Sequence, residues 1–107
     1  MSATEPVIEE MVKRIIEAIQ PDRIILFGSH ARGEAGPDSD VDLLVVAPSD
    51  EAPHRRVVRL YRATRGLGVA KDILWYTPEE FSARSKGLMT VVATAIREGK
   101  VVYERAA

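Results

Sequence analysis

The sequence predicts a small α/β (α+β) domain, built on a mixed β-sheet that is flanked by helices. Three observations support this prediction. Short apolar runs rich in strand-forming residues alternate with segments whose apolar residues recur at helical spacing. The 107 residues are the length of one domain with one two-layer core, so we assign residues 1–107 to a single domain. The polar residues that could carry chemistry stand where predicted strands begin or end.

Composition excludes several classes of protein. The chain has no cysteine, so disulfides and cysteine-based zinc sites are excluded. Its formal net charge of −1 provides no overall positive potential to attract nucleic acid, which argues against nucleic acid as the main partner. No apolar run is long enough to cross a bilayer, and the first residues lack signal-peptide character. We therefore expect a cytoplasmic protein without a membrane partner.

Hydrophobic periodicity and turn residues place the individual elements. The first helix is amphipathic and ends at Gln20-Pro21-Asp22, and Pro53 lies in the first turn of a later helix that Gly66 stops. A capping box at Thr77-Pro78-Glu79-Glu80 begins a further helix. In chain order the predicted elements are a helix over 5–19, strands over 23–27 and 41–46, a helix over 51–66, a strand over 71–76, a helix beginning at the capping box, a helix over 88–98 and an edge strand over 101–103.

The segment from Gly28 to Asp42 is the most informative part of the chain. Gly28 lets the backbone approach a phosphate, and Ser29 offers a hydroxyl and an N–H at the opening of a helical turn. After ten intervening residues, Asp40 and Asp42 point to one face of the next strand. Two carboxylates on one face suit Mg²⁺, which takes oxygen ligands and keeps part of its shell for substrate phosphates. The segment therefore predicts a nucleotidyl-transfer site.

This chemistry also predicts a topology. The end of the first strand can meet the start of the second only if the two strands are antiparallel. The helix over 51–66 then crosses over to a parallel third strand, in a unit that should be right-handed. Asp72, near the start of that strand, would lie beside Asp40 and Asp42. Two magnesium ions could then be held by the three aspartates, and Asp72 could be a metal ligand, the base that takes a proton from the acceptor hydroxyl, or both.

Other polar residues have weaker claims to a role. Asp38 precedes the strand in a Pro-containing turn, so we exclude it from the site. Arg32 or His30 could contact the triphosphate, although a surface arginine and an exposed histidine explain both residues as well. Five arginines of the helix over 51–66 are placed on its exposed side, where they form a solvated face or dock an acidic partner or RNA. They are Arg55, Arg56, Arg59, Arg62 and Arg65.

The Gly28-Ser29 pair, Asp40 and Asp42 match the Gly-Ser-x10-Asp-x-Asp motif, and the sequence resembles the minimal nucleotidyltransferase (MNT) family of the DNA polymerase β superfamily. The third acid of the family falls on Asp72, and the resemblance covers nearly the whole chain. It implies a polymerase β-like nucleotidyltransferase fold. MNT proteins are typically paired with a small helical HEPN protein, often a ribonuclease toxin, and act as antitoxins by transferring AMP from ATP to a tyrosine of that partner.

The resemblance thus implies a Mg²⁺-dependent enzyme that uses ATP and forms a hetero-oligomer with a HEPN-type toxin. Gly28, Ser29 and Arg32 would bind the nucleotide. Two alternatives stay open: an antitoxin that neutralises its partner by binding alone, and a transferase that acts on a small molecule. A nucleic-acid-binding module is supported only by the arginines.

Overall fold

The computed structural model describes residues 5–36, 38–87 and 89–106, in which helices and strands alternate along most of the chain. None of the helices in these ranges combines the length and the apolar character needed to cross a bilayer. The elements are α1 (Glu5–Ile19), β1 (Arg23–Phe27), α2 (Ser29–Arg32), β2 (Val41–Val46), α3 (Pro53–Ala63), β3 (Lys71–Tyr76), α4 (Pro78–Ser85), α5 (Val91–Glu98) and β4 (Lys100–Glu104).

The four strands form one mixed sheet in the order β3-β2-β1-β4. Strand β2 runs antiparallel to β1 and parallel to β3, as the sequence predicts. Strand β4 pairs antiparallel with β1 at one edge of the sheet, and its register shifts between Ile24 and Ile25. Val102 is left without a partner by this shift, which makes it the extra residue of a β-bulge. The predicted mixed sheet is confirmed.

Helices cover both faces of the sheet. On one face α1 and α3 bury Met11, Ile15 and Leu60 against alternate residues of the strands. On the other face α4 and α5 pack Phe81, Val92 and Ala95 against Ile25, Leu44 and Val46. Strand β2 is therefore buried on both sides, which explains why its run Val-Asp-Leu-Leu-Val-Val contains a single polar residue, Asp42.

Arg56 departs from the sequence prediction. We expected it on the exposed side of its helix, but only 6% of its surface is exposed. Its Nη1 donates to Glu80 Oε1 at 2.7 Å, and its Nε donates to the Glu51 carbonyl oxygen at 3.0 Å. The same Glu80 oxygen accepts the Thr77 N–H within the predicted capping box, which is present. Arg56 therefore joins α3 to the start of α4.

Two helices are shorter than the sequence predicts. Helix α3 has Pro53 in its first turn, as expected, but ends at Ala63 rather than at residue 66. Helix α5 was expected from residue 88, which lies outside the described residues, and it begins at Val91 because Thr90 is its N-cap and accepts the Ala93 N–H. Such capping satisfies an N–H that the first turn leaves without a partner.

Candidate active site

The end of β1 and the starts of β2 and β3 lie at the same edge of the sheet. Phe27, the last residue of β1, pairs with Asp42, and Asp42 pairs in turn with Asp72 of β3. Residues paired in register on neighbouring strands point to the same face, so the Asp42 and Asp72 side chains are neighbours. Alternation along β2 places Asp42 on the face of Leu44, which is covered by α5. As predicted, the strand register brings the Gly28-Ser29 turn next to these two aspartates.

Gly28 touches Asp42 directly. A Cβ on Gly28 would overlap Asp42 Oδ2, and Gly28 has a φ of +74°, which is a conformation that favours glycine. The sequence indicates one reason for a glycine at this position, the approach of a phosphate to the backbone. The structure adds a second reason, because the carboxylate of Asp42 occupies the space that any side chain would need.

Ser29 begins the short helix α2 beside this contact. The Gly28 carbonyl oxygen accepts the N–H groups of Ala31 at 3.1 Å and Arg32 at 3.2 Å, which closes the turn. The first N–H groups of a helical turn have no acceptor within the helix, so those of Ser29 and His30 are available to an anion. The His30 ring, with its proton on Nε2, donates to the Ser39 carbonyl oxygen at 3.4 Å. His30 thus ties α2 to the residue before Asp40, a role that sequence reasoning missed.

Negative charge accumulates at Asp42. Burial raises the pKa of the Asp42 carboxyl above its usual range, and the charges of Asp72 and Asp40 raise it further, while His30 and Arg32 act in the opposite direction. Asp40 and Asp72 are themselves exposed. Among the described residues, no three acidic or histidine side chains are drawn close enough together to hold a metal ion as they stand. Like charges repel one another, and a cation would relieve this repulsion.

Arg32 is exposed and already has carboxylate partners. Its Nε donates to Glu34 Oε1 at 2.5 Å, and its Nη1 lies 3.8 Å from Glu98 Oε2. The Glu34 hydrogen bond is the main cause of a raised Arg32 pKa, to which Glu98 and Asp42 also contribute. Arg32 is therefore near enough to Asp42 to interact with it electrostatically. Its contact with a triphosphate stays a prediction.

The aspartates lie on an open edge. A cavity of about 950 Å³ lies at the opposite end of the sheet, where Asp22, Val46 and Phe81 are among its lining residues. Asp38 is exposed and precedes β2. Because Asp40 and Asp72 face solvent, a large acceptor molecule could reach them without a channel.

Comparison with known proteins identifies a family. The model of the nucleotidyltransferase domain matches residues 8–99. A curated relative from Methanocaldococcus jannaschii, named "putative protein adenylyltransferase", is 33% identical over an alignment of length 90 that covers 77% of this chain and 58% of the relative. The chain thus spans little more than half the length of that relative.

Two solved structures share the fold. One, described as a toxin-antitoxin with AMP-PNP, has a TM-score of 0.66 and 19% identity, and the match covers 91% of this chain and 73% of that chain. The other, a "putative nucleotidyltransferase" from Sulfolobus solfataricus, has a TM-score of 0.56 and 21% identity, and the match covers 98% of this chain and 93% of that chain. The family match contains the Gly28-Ser29 turn and all three aspartates, and the chain is accordingly a nucleotidyltransferase domain and a member of that family.

Proposed function

We propose that the chain is a Mg²⁺-dependent adenylyltransferase that moves AMP from ATP to a tyrosine hydroxyl of a HEPN-type toxin, and that it serves as the antitoxin of that pair. The observation that carries this proposal is the register of Asp42 with Asp72 at the edge where the Gly28-Ser29 turn begins. The name of the Methanocaldococcus relative supports a protein as acceptor and AMP as the transferred group. The fold neighbour with AMP-PNP supports a toxin-antitoxin context.

The reaction assigns separate roles to the residues of this edge. The acceptor hydroxyl gives up its proton, its oxygen bonds to the α-phosphorus of ATP, and the bond from that phosphorus to the bridging oxygen of the β-phosphate breaks, which releases pyrophosphate. Asp72 is exposed beside Asp42, where it can orient the hydroxyl or take its proton. The Ser29 hydroxyl and the free N–H groups of α2 would hold the phosphates, with Arg32 as a further contact.

The donor set fits magnesium. Asp40, Asp42 and Asp72 offer only carboxylate oxygens, which are the ligands that Mg²⁺ prefers. Burial, followed by the charges of Asp72 and Asp40, raises the pKa of Asp42, and a bound cation would favour its charged form. These three residues would hold the metal, which when bound would neutralise phosphate charge and lower the pKa of the acceptor hydroxyl.

An intact-mass measurement tests the proposal. A HEPN-type toxin would be mixed with the chain, magnesium and ATP, and the intact mass of the toxin would be recorded. We expect increases in steps of one AMP with the wild-type chain and with Asp38→Asn, and none with Asp42→Asn. Equal transfer by Asp42→Asn would contradict the site assignment. A stable complex without any mass increase would support neutralisation by binding alone, and transfer to a small hydroxylated compound without the partner would support a small-molecule transferase.

A further inference from the structure

The exposed face of α3 carries a basic surface that the nucleotidyltransferase site does not use. We infer that this arginine stripe, formed by Arg55, Val58, Arg59 and Arg62, docks an acidic helix of the acceptor protein. The inference rests on the proposed transfer to a protein and adds to it the surface that recognises the acceptor. It concerns the face of the sheet opposite to α4 and α5.

Fold stability does not explain the stripe. Residues 52–71 contain no Asp or Glu, although five arginines lie between 55 and 65. The first turn of α3 has no acidic residue, and Arg55 in that turn opposes the helix dipole. Arg55 and Arg59, four residues apart, repel each other. Helix α1, in contrast, pairs Arg14 with Glu10 at the same spacing. A helix face selected only for solubility would mix the two signs of charge in this way.

Most of this positive charge is not neutralised by the residues that the structure describes. Arg59 Nη2 pairs with Glu51 Oε1 at 2.6 Å. Arg55 and Arg62 make no ion pair with any residue that the structure describes. Val58, between them, is 48% exposed. The stripe therefore has two guanidinium groups and an apolar side chain available to another molecule.

The geometry of the stripe favours an acidic helix as its occupant. Positions 55, 58, 59 and 62 follow the spacing by which one helix presents a ridge to another. A shallow cavity of about 320 Å³ is lined by Arg55, Val58, Arg59 and Arg62 together with Glu51. An apolar centre with arginines around it is the composition of a protein–protein interface. Carboxylates of the partner helix would pair with the arginines, while an apolar residue would cover Val58.

RNA fits this surface less well, because bases bind to exposed aromatic rings as well as to positive charge. The stripe itself has no aromatic residue. Tyr61, the one Phe, Tyr or Trp residue of α3, is half-buried and uses its hydroxyl within the fold. The valine at the centre of the stripe would have no partner on a phosphate backbone.

The stripe is held in a defined position relative to Asp72. The Tyr61 hydroxyl donates to the Lys71 carbonyl oxygen at 3.3 Å and accepts the Ile73 N–H at 3.1 Å. Lys71 Nζ donates to the Thr64 carbonyl oxygen at 2.9 Å. The last turn of α3 is thus bonded to both neighbours of Asp72. Because β3 is an edge strand, a partner on α3 can reach around that edge to Asp72 without crossing another strand.

The test is a double charge reversal, Arg55→Glu with Arg62→Glu, in the full chain. Its control is Lys13→Glu with Lys86→Glu, which makes the same change in net charge at two exposed positions of α1 and of the end of α4. The Kd for the HEPN-type acceptor would be measured by calorimetry, and AMP transfer to that acceptor by intact mass. We expect the stripe variant to raise Kd and the KM for the acceptor by at least about tenfold, with the KM for ATP unchanged. The control should match the wild type.

The possible results separate this inference from the proposed function. Wild-type binding and transfer by the stripe variant, with transfer still lost in Asp42→Asn, would overturn the docking surface and leave the transferase standing. No complex and no transfer by the wild-type chain would overturn both. A labelled single-stranded RNA that binds the wild type but not the stripe variant, with acceptor binding unaffected, would assign the stripe to RNA instead. Circular dichroism verifies folding, and Arg55→Gln with Arg62→Gln replaces the reversal if that variant does not fold.

Discussion

Asp42 Oδ2 fills the position that a Cβ of Gly28 would occupy. Strand β1 ends at Phe27, the register partner of Asp42, so the chain leaves the strand directly against this carboxylate. The same glycine opens the turn at Ser29. One contact therefore sets both the position of the Asp42 carboxylate and the path of the backbone that would bind phosphate.

Replacing Gly28 with alanine should abolish transfer while leaving a folded protein. Gly33→Ala is the matched control, because Gly33 has a φ of +73° but no atom within 4 Å of its Cβ position. Gly33→Ala should lower the free energy of unfolding by about 1–2 kcal/mol, the cost of a left-handed conformation for alanine. Gly28→Ala should lower it by more, because its φ of +74° and ψ of −156° are adopted almost only by glycine and its Cβ would overlap Asp42. Only Gly28→Ala displaces Asp42, so its transfer rate should fall by about 100-fold or more. Urea unfolding and AMP transfer measure the two effects, and equal rates for the two variants would contradict the contact.

Magnesium should stabilise the chain in the absence of nucleotide. The three aspartates repel one another, and a bound cation would relieve that repulsion. We expect a rise in Tm with added magnesium that EDTA reverses. Asp38→Asn should show the same rise, whereas Asp42→Asn should show little or none. A rise that is unchanged in Asp42→Asn would place the ion elsewhere.

The stability of the metal-free chain should depend on pH through Asp42. Because its pKa is raised in the folded state, the charged form is disfavoured there, and Asp42 destabilises the fold at neutral pH. Protonation relieves this penalty as the pH falls through the raised pKa toward the ordinary value. Asp42→Asn should therefore be more stable than the wild type at pH 7, and the difference should shrink toward about pH 4. Urea unfolding in EDTA at both pH values provides the measurement; a constant difference would show that Asp42 titrates normally.

Glu80 should give a pH dependence of opposite sign. The Thr77 N–H, followed by the Arg56 side chain, holds the pKa of Glu80 below its usual range. The stability it contributes is present above the ordinary carboxyl pKa and is lost as the pH falls through the lowered one. Glu80→Gln should therefore not lose this stability in acid. The difference in the free energy of unfolding between Glu80→Gln and the wild type should be largest at neutral pH. A profile parallel to that of the wild type would contradict the prediction.

Removing Arg56 should destabilise the fold far more than removing its neighbour. Arg56→Ala breaks a largely buried ion pair with Glu80, whose own side chain is partly exposed, so we expect a loss of about 2 kcal/mol. Arg55→Ala is the control and should change stability by less than about 0.5 kcal/mol, because Arg55 is exposed. Chemical denaturation of both variants tests this. Similar losses for the two would mean that the Arg56 pair contributes nothing.

The strand pairing could be predicted because the chemistry required particular strand ends to meet. Antiparallel β1 and β2 and parallel β3 follow from joining Gly28 to Asp42 and then Asp42 to Asp72, and the register confirms each pairing. The burial of Arg56 could not be predicted, because its partner Glu80 lies 24 residues away and serves a separate helix cap. Helix ends were less predictable than helices, since local caps such as Thr90 decide them.

Within the site, residue types and spacing were enough to select the aspartates, but not to describe their surroundings. The contact between Gly28 and Asp42 depends on how closely two strands approach, which no local sequence pattern records. The pairing of Arg32 with Glu98 joins α2 to α5, two helices far apart in the sequence. Sequence reasoning could therefore identify Arg32 only as a candidate phosphate contact. The metal and nucleotide assignments stay predictions.

Strand β4 also affects how the protein behaves at high concentration. An edge strand exposes unpaired N–H and C=O groups to which a strand of another chain can add, the first step of edge-to-edge aggregation. In β4 the unpaired Val102 produces a bulge, and the strand begins at Lys100 and ends at Glu104. A bulge twists the edge and disturbs the regular spacing of the N–H and C=O groups to which a straight added strand would bond. The irregular register of β4 therefore protects the sheet from growing by self-addition, although Val101 and Val102 are exposed on it.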